Sequence, residues 1–160
     1  MKLHRILALF YIFGLLLYTV VAIDYFSRPP LFGLIGLGSI ASSIFILITH
    51  PAGSSSSPKN IIFGYLIAIL IGFIFQKIIV FFQPHIQPHL PLHFQCLAVM
   101  AVVTVIIIFH RCNIDHPPAV GMTLGLVLES WEYMTIIVLI IAVTGLLLIP
   151  KLFNSSVRIK

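Results

Sequence analysis

Apolar residues fall into six runs separated by short polar or proline-bearing breaks: Ile6–Ile23, Leu31–Thr49, Ile61–Phe82, Phe94–Phe109, Ala119–Leu128 and Tyr133–Ile149. A helix crosses a bilayer with roughly 17–25 residues. Four runs fit or nearly fit that length, and Phe94–Phe109 fits with its flanks. Ala119–Leu128 is short: from Pro117 through Trp131 a helix reaches only about 22 Å. The pattern predicts an all-α, polytopic transmembrane helix bundle of six apolar segments with a short fifth helix. Residues 1–160 form a single integral membrane domain on this reading.

Composition removes the soluble alternatives. The chain has 160 residues, is 60% hydrophobic and 8% charged, and has a mean hydropathy of +1.16. A soluble domain carries about 25% charged residues. The formal charge of +5 does not point to nucleic acid, because the basic residues sit at segment ends and form no dense stripe. They read as topology determinants. If all six runs cross with the N-terminus inside, Lys2, Arg5, Lys59, Arg111, Lys151, Arg158 and Lys160 fall inside and Arg28 falls outside. Both termini are then cytoplasmic, in a bacterial inner membrane, and the bilayer is the first partner. Lys2, Arg5 and Val20-Val21-Ala22 imitate a signal peptide, but the apolar run exceeds the usual length of about 7–15 residues. It reads as a retained first helix. Cys96 and Cys112 would lie about 24 Å apart on one helix, too far for a bridge.

Two breaks look like built helix starts. In Ser54-Ser55-Ser56-Ser57-Pro58-Lys59-Asn60, Ser57 suits N-cap and Pro58 suits the first helical position. In Asp115-His116-Pro117-Pro118-Ala119, the two prolines are tolerated in a first turn, where N–H groups lack intrahelical partners. Helix N-termini attract anions. The first start adds Ser57, Lys59 and Asn60; the second adds His116, the Ala119 N–H and Thr123. These six are the candidate substrate-binding residues. A solvated loop with a topology-setting lysine is the alternative at the first start, and a lipid phosphate could equally be the anion. His50-Pro51-Ala52-Gly53 echoes the His116 segment as a weak internal repeat.

Small residues recur at four-residue spacing: Gly64, Ala68 and Gly72, then Gly121 and Gly125. This spacing lets membrane helices approach closely. With Gly33, Gly36, Gly38, Ser39, Ala41, Ser42 and Ser43 in the second run, it places the second, third and fifth helices innermost. Pro58, Gly64, Pro117, Pro118, Gly121 and Gly125 are the structural motif positions.

Little suggests catalysis. His85, His89 and His93 are spaced by four, but the intervening prolines favour an extended run, so no metal site is assigned. No nucleophile–base pair, HExxH, phosphate loop or dinucleotide motif is present. The chain is read as a non-enzyme without a cofactor. Trp131 and Tyr133 suit an interfacial belt, and Lys77 can snorkel or pair with Glu129 or Glu132.

Asp115-His116-Pro117-Pro118-Ala119, with Gly121 and Leu124, resembles the signature of the HPP family of small integral membrane proteins. Ser57-Pro58-Lys59-Asn60-Ile61-Ile62-Phe63-Gly64-Tyr65 is similar to that family's Gln-Pro-Arg-Asn-Val-Ile-Gly-Gly-His segment. The likeness covers about residues 31–152. It implies a small-anion transporter, with nitrite as an example, since some photosynthetic members are linked to nitrite transport. Departures are Lys59 for arginine, Phe63 for glycine, Tyr65 for histidine, and Gly121 and Thr123 displaced by one position.

Two functions follow as expectations. One is a transporter or channel-like protein for a small inorganic anion, with room for a homo-oligomer to enclose the pathway. The other is a non-transporting assembly or lipid-binding protein in which the same motifs fix helix ends. The charge bias itself is testable: reporters active on one side of the membrane, fused to each terminus, should both report the cytoplasm. A C-terminal reporter active outside would show that the fifth run does not cross.

Overall fold

The computed structural model describes residues 3–26, 31–82, 91–128 and 133–150. These form six helices: α1 (Leu3–Phe26), α2 (Leu31–Thr49), α3 (Pro58–Phe82), α4 (Pro91–Cys112), α5 (Pro117–Leu128) and α6 (Tyr133–Leu146). A single 3-10 turn, Ser54–Ser56, precedes α3. No strand occurs among the described residues. The all-α bundle with a short fifth helix is what the apolar runs predict. α3, and Gln95–Cys112 of α4, are long and apolar enough to cross a bilayer, with mean hydropathies of 2.4 and 2.0. α5 and α6 have 12 and 14 residues.

Packing does not follow the rule of a soluble protein, since large apolar side chains lie both inside and outside. Large apolar side chains point outward, including Phe10, Phe13, Phe45, Phe81 and Val99. Water would penalise such a surface; lipid tails do not. Inside, Ile40, Leu47, Tyr65, Met122 and Leu139 pack with the small residues Ala68, Ala98, Ala101, Ala119 and Ala142, which bring the helices close. Mid-helix threonines close on their own helix, as Thr19, Thr104 and Thr144 donate to the Leu15, Met100 and Ile140 carbonyls at 2.7 Å. This i−4 bonding satisfies a hydroxyl where no water reaches it.

α5 is the central element and packs against α2, α3 and α4. α6 joins α1, α2 and α3. The tight α4–α5 corner rests on Asn113, whose φ is 51°. With this residue left-handed, the Ile114 N–H reaches the Phe109 carbonyl at 2.9 Å, a helix-ending arrangement that asparagine tolerates. At the other end of α3, Lys77 Nζ lies 5.4 Å from the Phe73 ring centre and 5.9 Å from that of Tyr133. The lysine thus uses aromatic faces. Glu129, Glu132, Trp131 and residues 83–90, with His85 and His89, lie outside the described residues, whereas His93, expected in the same extended run, belongs to the first turn of α4. Cys96 and Cys112 are free and exposed.

The α3–α5 seam explains one glycine pattern and corrects another. A Cβ added at Gly64 would sit 3.1 Å from the His116 Cβ and 3.5 Å from the Ala119 Cβ. A Cβ added at Gly72 would sit 2.7 Å from the Leu126 Cβ. Gly125 is buried. Gly121, expected on the same seam, is exposed, and an added Cβ there meets nothing within 4 Å. The reason is phase: Ala119, Met122, Thr123 and Leu126 form the buried face of α5, which turns Gly121 away. Gly72→Leu should therefore destabilise the protein by about 1–3 kcal/mol or more through overpacking. Gly121→Leu should change stability little. Thermal unfolding in detergent checks both, and equal effects would contradict this packing.

Candidate functional site

The Ser54–Ser56 turn and the start of α5 meet, although 61 positions separate Ser55 from His116. Each of the four serines has its own task. Ser54 Oγ donates to the Asp115 carboxylate. The Ser55 carbonyl accepts from His116 Nδ1 at 2.8 Å. Ser56 Oγ donates to the His50 carbonyl at 2.6 Å, tying the turn to the end of α2. Ser57 Oγ accepts the Asn60 N–H at 3.2 Å and caps α3. Asn60 Nδ2 donates to the Ser54 carbonyl at 2.8 Å.

Inside this shell lies a string of polar groups. His116 is 1% exposed. A carbonyl can only accept, so the Nδ1–H donates to Ser55 and the neutral ring has Nε2 as acceptor. Ser43 Oγ lies 3.0 Å from Nε2 and 2.8 Å from Tyr65 Oη. Tyr65 Oη is in turn 3.0 Å from Ser39 Oγ and 3.1 Å from the Ser39 carbonyl. Ser39 Oγ donates to the Pro118 carbonyl at 2.7 Å. The string joins α2, α3, α5 and the turn. Its far end, Ser39, opens on a groove of about 470 Å³ between α2 and α5, lined by Gly38, Ser39, Ser42, Ile46, Pro117, Pro118 and Gly121.

The structure brings part of the sequence-derived set together. His116 and the Ser54–Asn60 segment share one cluster. Lys59 is exposed, without an ion pair among the described residues. The donors of the α5 start are used internally: Pro117 and Pro118 have no N–H, and the Ala119 N–H bonds the His116 carbonyl at 3.1 Å. Thr123 Oγ1 faces the Ala68 and Ala119 carbonyls, each at 3.5 Å. His50 is exposed in a turn ending α2, so the echo of the His116 segment is not structural. Sequence reading missed Ser39, Ser43 and Tyr65 as a unit. Two hydroxyls four apart on one face of an otherwise apolar helix are the signal that could have found them.

Ionisation follows this geometry. The Ser54 and Ser55 hydroxyls hold the Asp115 carboxyl below its usual value of 3.8. Burial pushes His116, in the loop ahead of α5, below its usual 6.5, against the opposing pull of the Ser55 carbonyl and Asp115. Both folded values are depressed, so the unfolded chain binds protons more readily in each window. Stability should be full above pH 6.5 and fall as pH drops from there through the folded value of His116. A second loss should begin near pH 3.8 and follow Asp115. Thermal unfolding against pH checks this; Asp115→Asn should remove the second stage and, by taking away the charge that raises the His116 value, push the first stage to lower pH.

The comparisons agree with the motif reading and extend it. A family model described as the HPP transmembrane region matches residues 1–158. No curated protein and no solved structure matches the chain. The match takes in the first helix as well as the region from 31 to 152, and both His-Pro-Pro and the α3 start fall within it. The chain is thus an integral membrane protein belonging to the HPP family.

Proposed function

We propose that this protein is a transporter or channel-like carrier of a small inorganic anion such as nitrite, without catalytic activity of its own. One observation carries the reading: a titratable, hydrogen-bonded string lies buried among α2, α3 and α5 and ends on an open groove. Polar groups at such positions in a membrane are costly and mark solute or ion pathways. Lys59, exposed at the α3 start, supplies positive charge on the same side of the protein as the Ser54–Ser56 turn, supported by the helix dipole. In this reading the protein sits in a bacterial inner membrane with both termini cytoplasmic, and a second copy of the chain helps to enclose the path.

A second reading has its own support. The donors at the α5 start are consumed within the protein, as they would be in a non-transporting assembly or lipid-binding protein whose motifs fix helix ends. Flux separates the two. Purified protein in liposomes, assayed against a panel of small anions, should move at least one of them. Lys59→Ala should weaken that anion's binding by about 1.5–3 kcal/mol, the worth of a charge-assisted contact. Unchanged flux in Lys59→Ala at equal membrane level removes the role of Lys59. Absence of flux for every anion favours the second reading.

A further inference from the structure

We infer that His116 is the proton-binding site of the protein, exchanging its proton with the α2–α5 groove through Ser43, Tyr65 and Ser39, so that proton and anion move together. This rests on the transport reading for its anion but not for its proton chemistry.

The string satisfies both charge states of the ring. With His116 neutral, Nδ1–H donates to the Ser55 carbonyl, Ser43 donates to Nε2, Tyr65 donates to Ser43, and Ser39 donates to the Pro118 carbonyl. With His116 protonated, Nε2–H donates to Ser43, Ser43 donates to Tyr65, and Tyr65 turns to the Ser39 carbonyl 3.1 Å away. Every acceptor and donor keeps a partner, and the change costs two hydroxyl rotations. A half-satisfied buried network would be far less favourable.

The transfer balances. A proton carried by water in the groove passes to Ser39 Oγ. Ser39 turns its hydrogen from the Pro118 carbonyl to Tyr65 Oη and gives that proton to Tyr65, Tyr65 gives its proton to Ser43 Oγ, and Ser43 gives its proton to His116 Nε2. Each oxygen ends with the one hydrogen it began with, and the ring gains one positive charge. The links are 3.0, 2.8 and 3.0 Å, all hydrogen-bond distances. Ser39 lies ten residues before the end of α2, about 15 Å along its axis. That is half the thickness of a hydrocarbon core of about 30 Å.

The groups facing the ring leave it as the place where charge changes. Tyr65 from α3 is titratable, with ring centres 5.3 Å apart, and Asp115 neighbours it in the loop. α2 presents the Ser43 hydroxyl and the turn presents a carbonyl. α4 brings Phe109 to the same glycine that His116 packs on. Burial lowers the proton affinity of the ring and Asp115 raises it, which suits reversible loading. One proton moved with each monovalent anion makes the cargo neutral overall, and neutral cargo crosses a low-dielectric region at far lower cost than a bare anion.

Two measurements test this. Nitrogen-15 NMR of histidine-labelled protein in nanodiscs should show His116 taking up a proton as pH falls below its ordinary 6.5, and Tyr65→Phe should slow its proton exchange at least tenfold. In liposomes loaded with a pH dye, nitrite uptake should carry protons inward. Tyr65→Phe should lower pH-driven uptake at least tenfold relative to anion counterflow in the same vesicles. A ring that keeps one protonation state throughout overturns the proposal, as does anion flux without proton movement. Titration with relay-dependent exchange but no anion flux upholds the proton site and overturns the transport reading instead.

Discussion

The fold depends on the placing of one imidazole where neither water nor lipid can satisfy it. Within a bilayer every polar group must find its partner inside the protein. His116 meets this requirement from both ring nitrogens, through a carbonyl of the Ser54–Ser56 turn and a hydroxyl of α2. Those two bonds hold three separate stretches of chain in register. Removing the Ser43 hydroxyl would strand the Nε2 acceptor, at a cost of about 1–3 kcal/mol. Gly64 belongs to the same constraint, since its missing side chain leaves room for the His116 Cβ. The two prolines complete it by starting α5 where the ring must sit and by removing N–H groups that would otherwise need partners.

This interaction also orders the loop before α3. Four consecutive serines look interchangeable, yet each is bonded differently: to a carboxylate, through its own carbonyl to the ring, to the end of α2, and to the first turn of α3. The loop becomes a clasp over the α4–α5 corner. Asp115 fits there because serine hydroxyls stabilise its charge at the exposed rim, while the neighbouring histidine turns inward.

The architecture was legible from the apolar runs because bilayer thickness imposes helix length directly. The short fifth helix was legible for the same reason. His-Pro-Pro and Ser57-Pro58 were visible because capping chemistry is local in sequence. The relay was not, because it is made by residues 39, 43, 65 and 116, and nothing local connects them. Ser39 and Ser43 resembled packing residues, which they also are. Gly121 misled for a related reason: four-residue spacing tells which residues share a helix face, but not which neighbour that face meets. Pro117 and Pro118 drew the eye as an anion site, yet the same missing N–H groups that permit the helix start leave little there to donate.

The closure of the bundle has a consequence for its biogenesis. Tyr11 in α1 donates to the Gly145 carbonyl at 2.7 Å, across 134 positions, and Leu15 packs where a side chain on Gly145 would lie. α1 also packs against α2, but Tyr11 finds this acceptor only once α6 has been made. Until then one flank of α1 faces lipid, or whatever insertion machinery shelters it, with the tyrosine hydroxyl still unmatched. A hydrogen bond across 134 positions cannot form before α6 exists, so a chain stalled ahead of α6 lacks the α1–α6 seam.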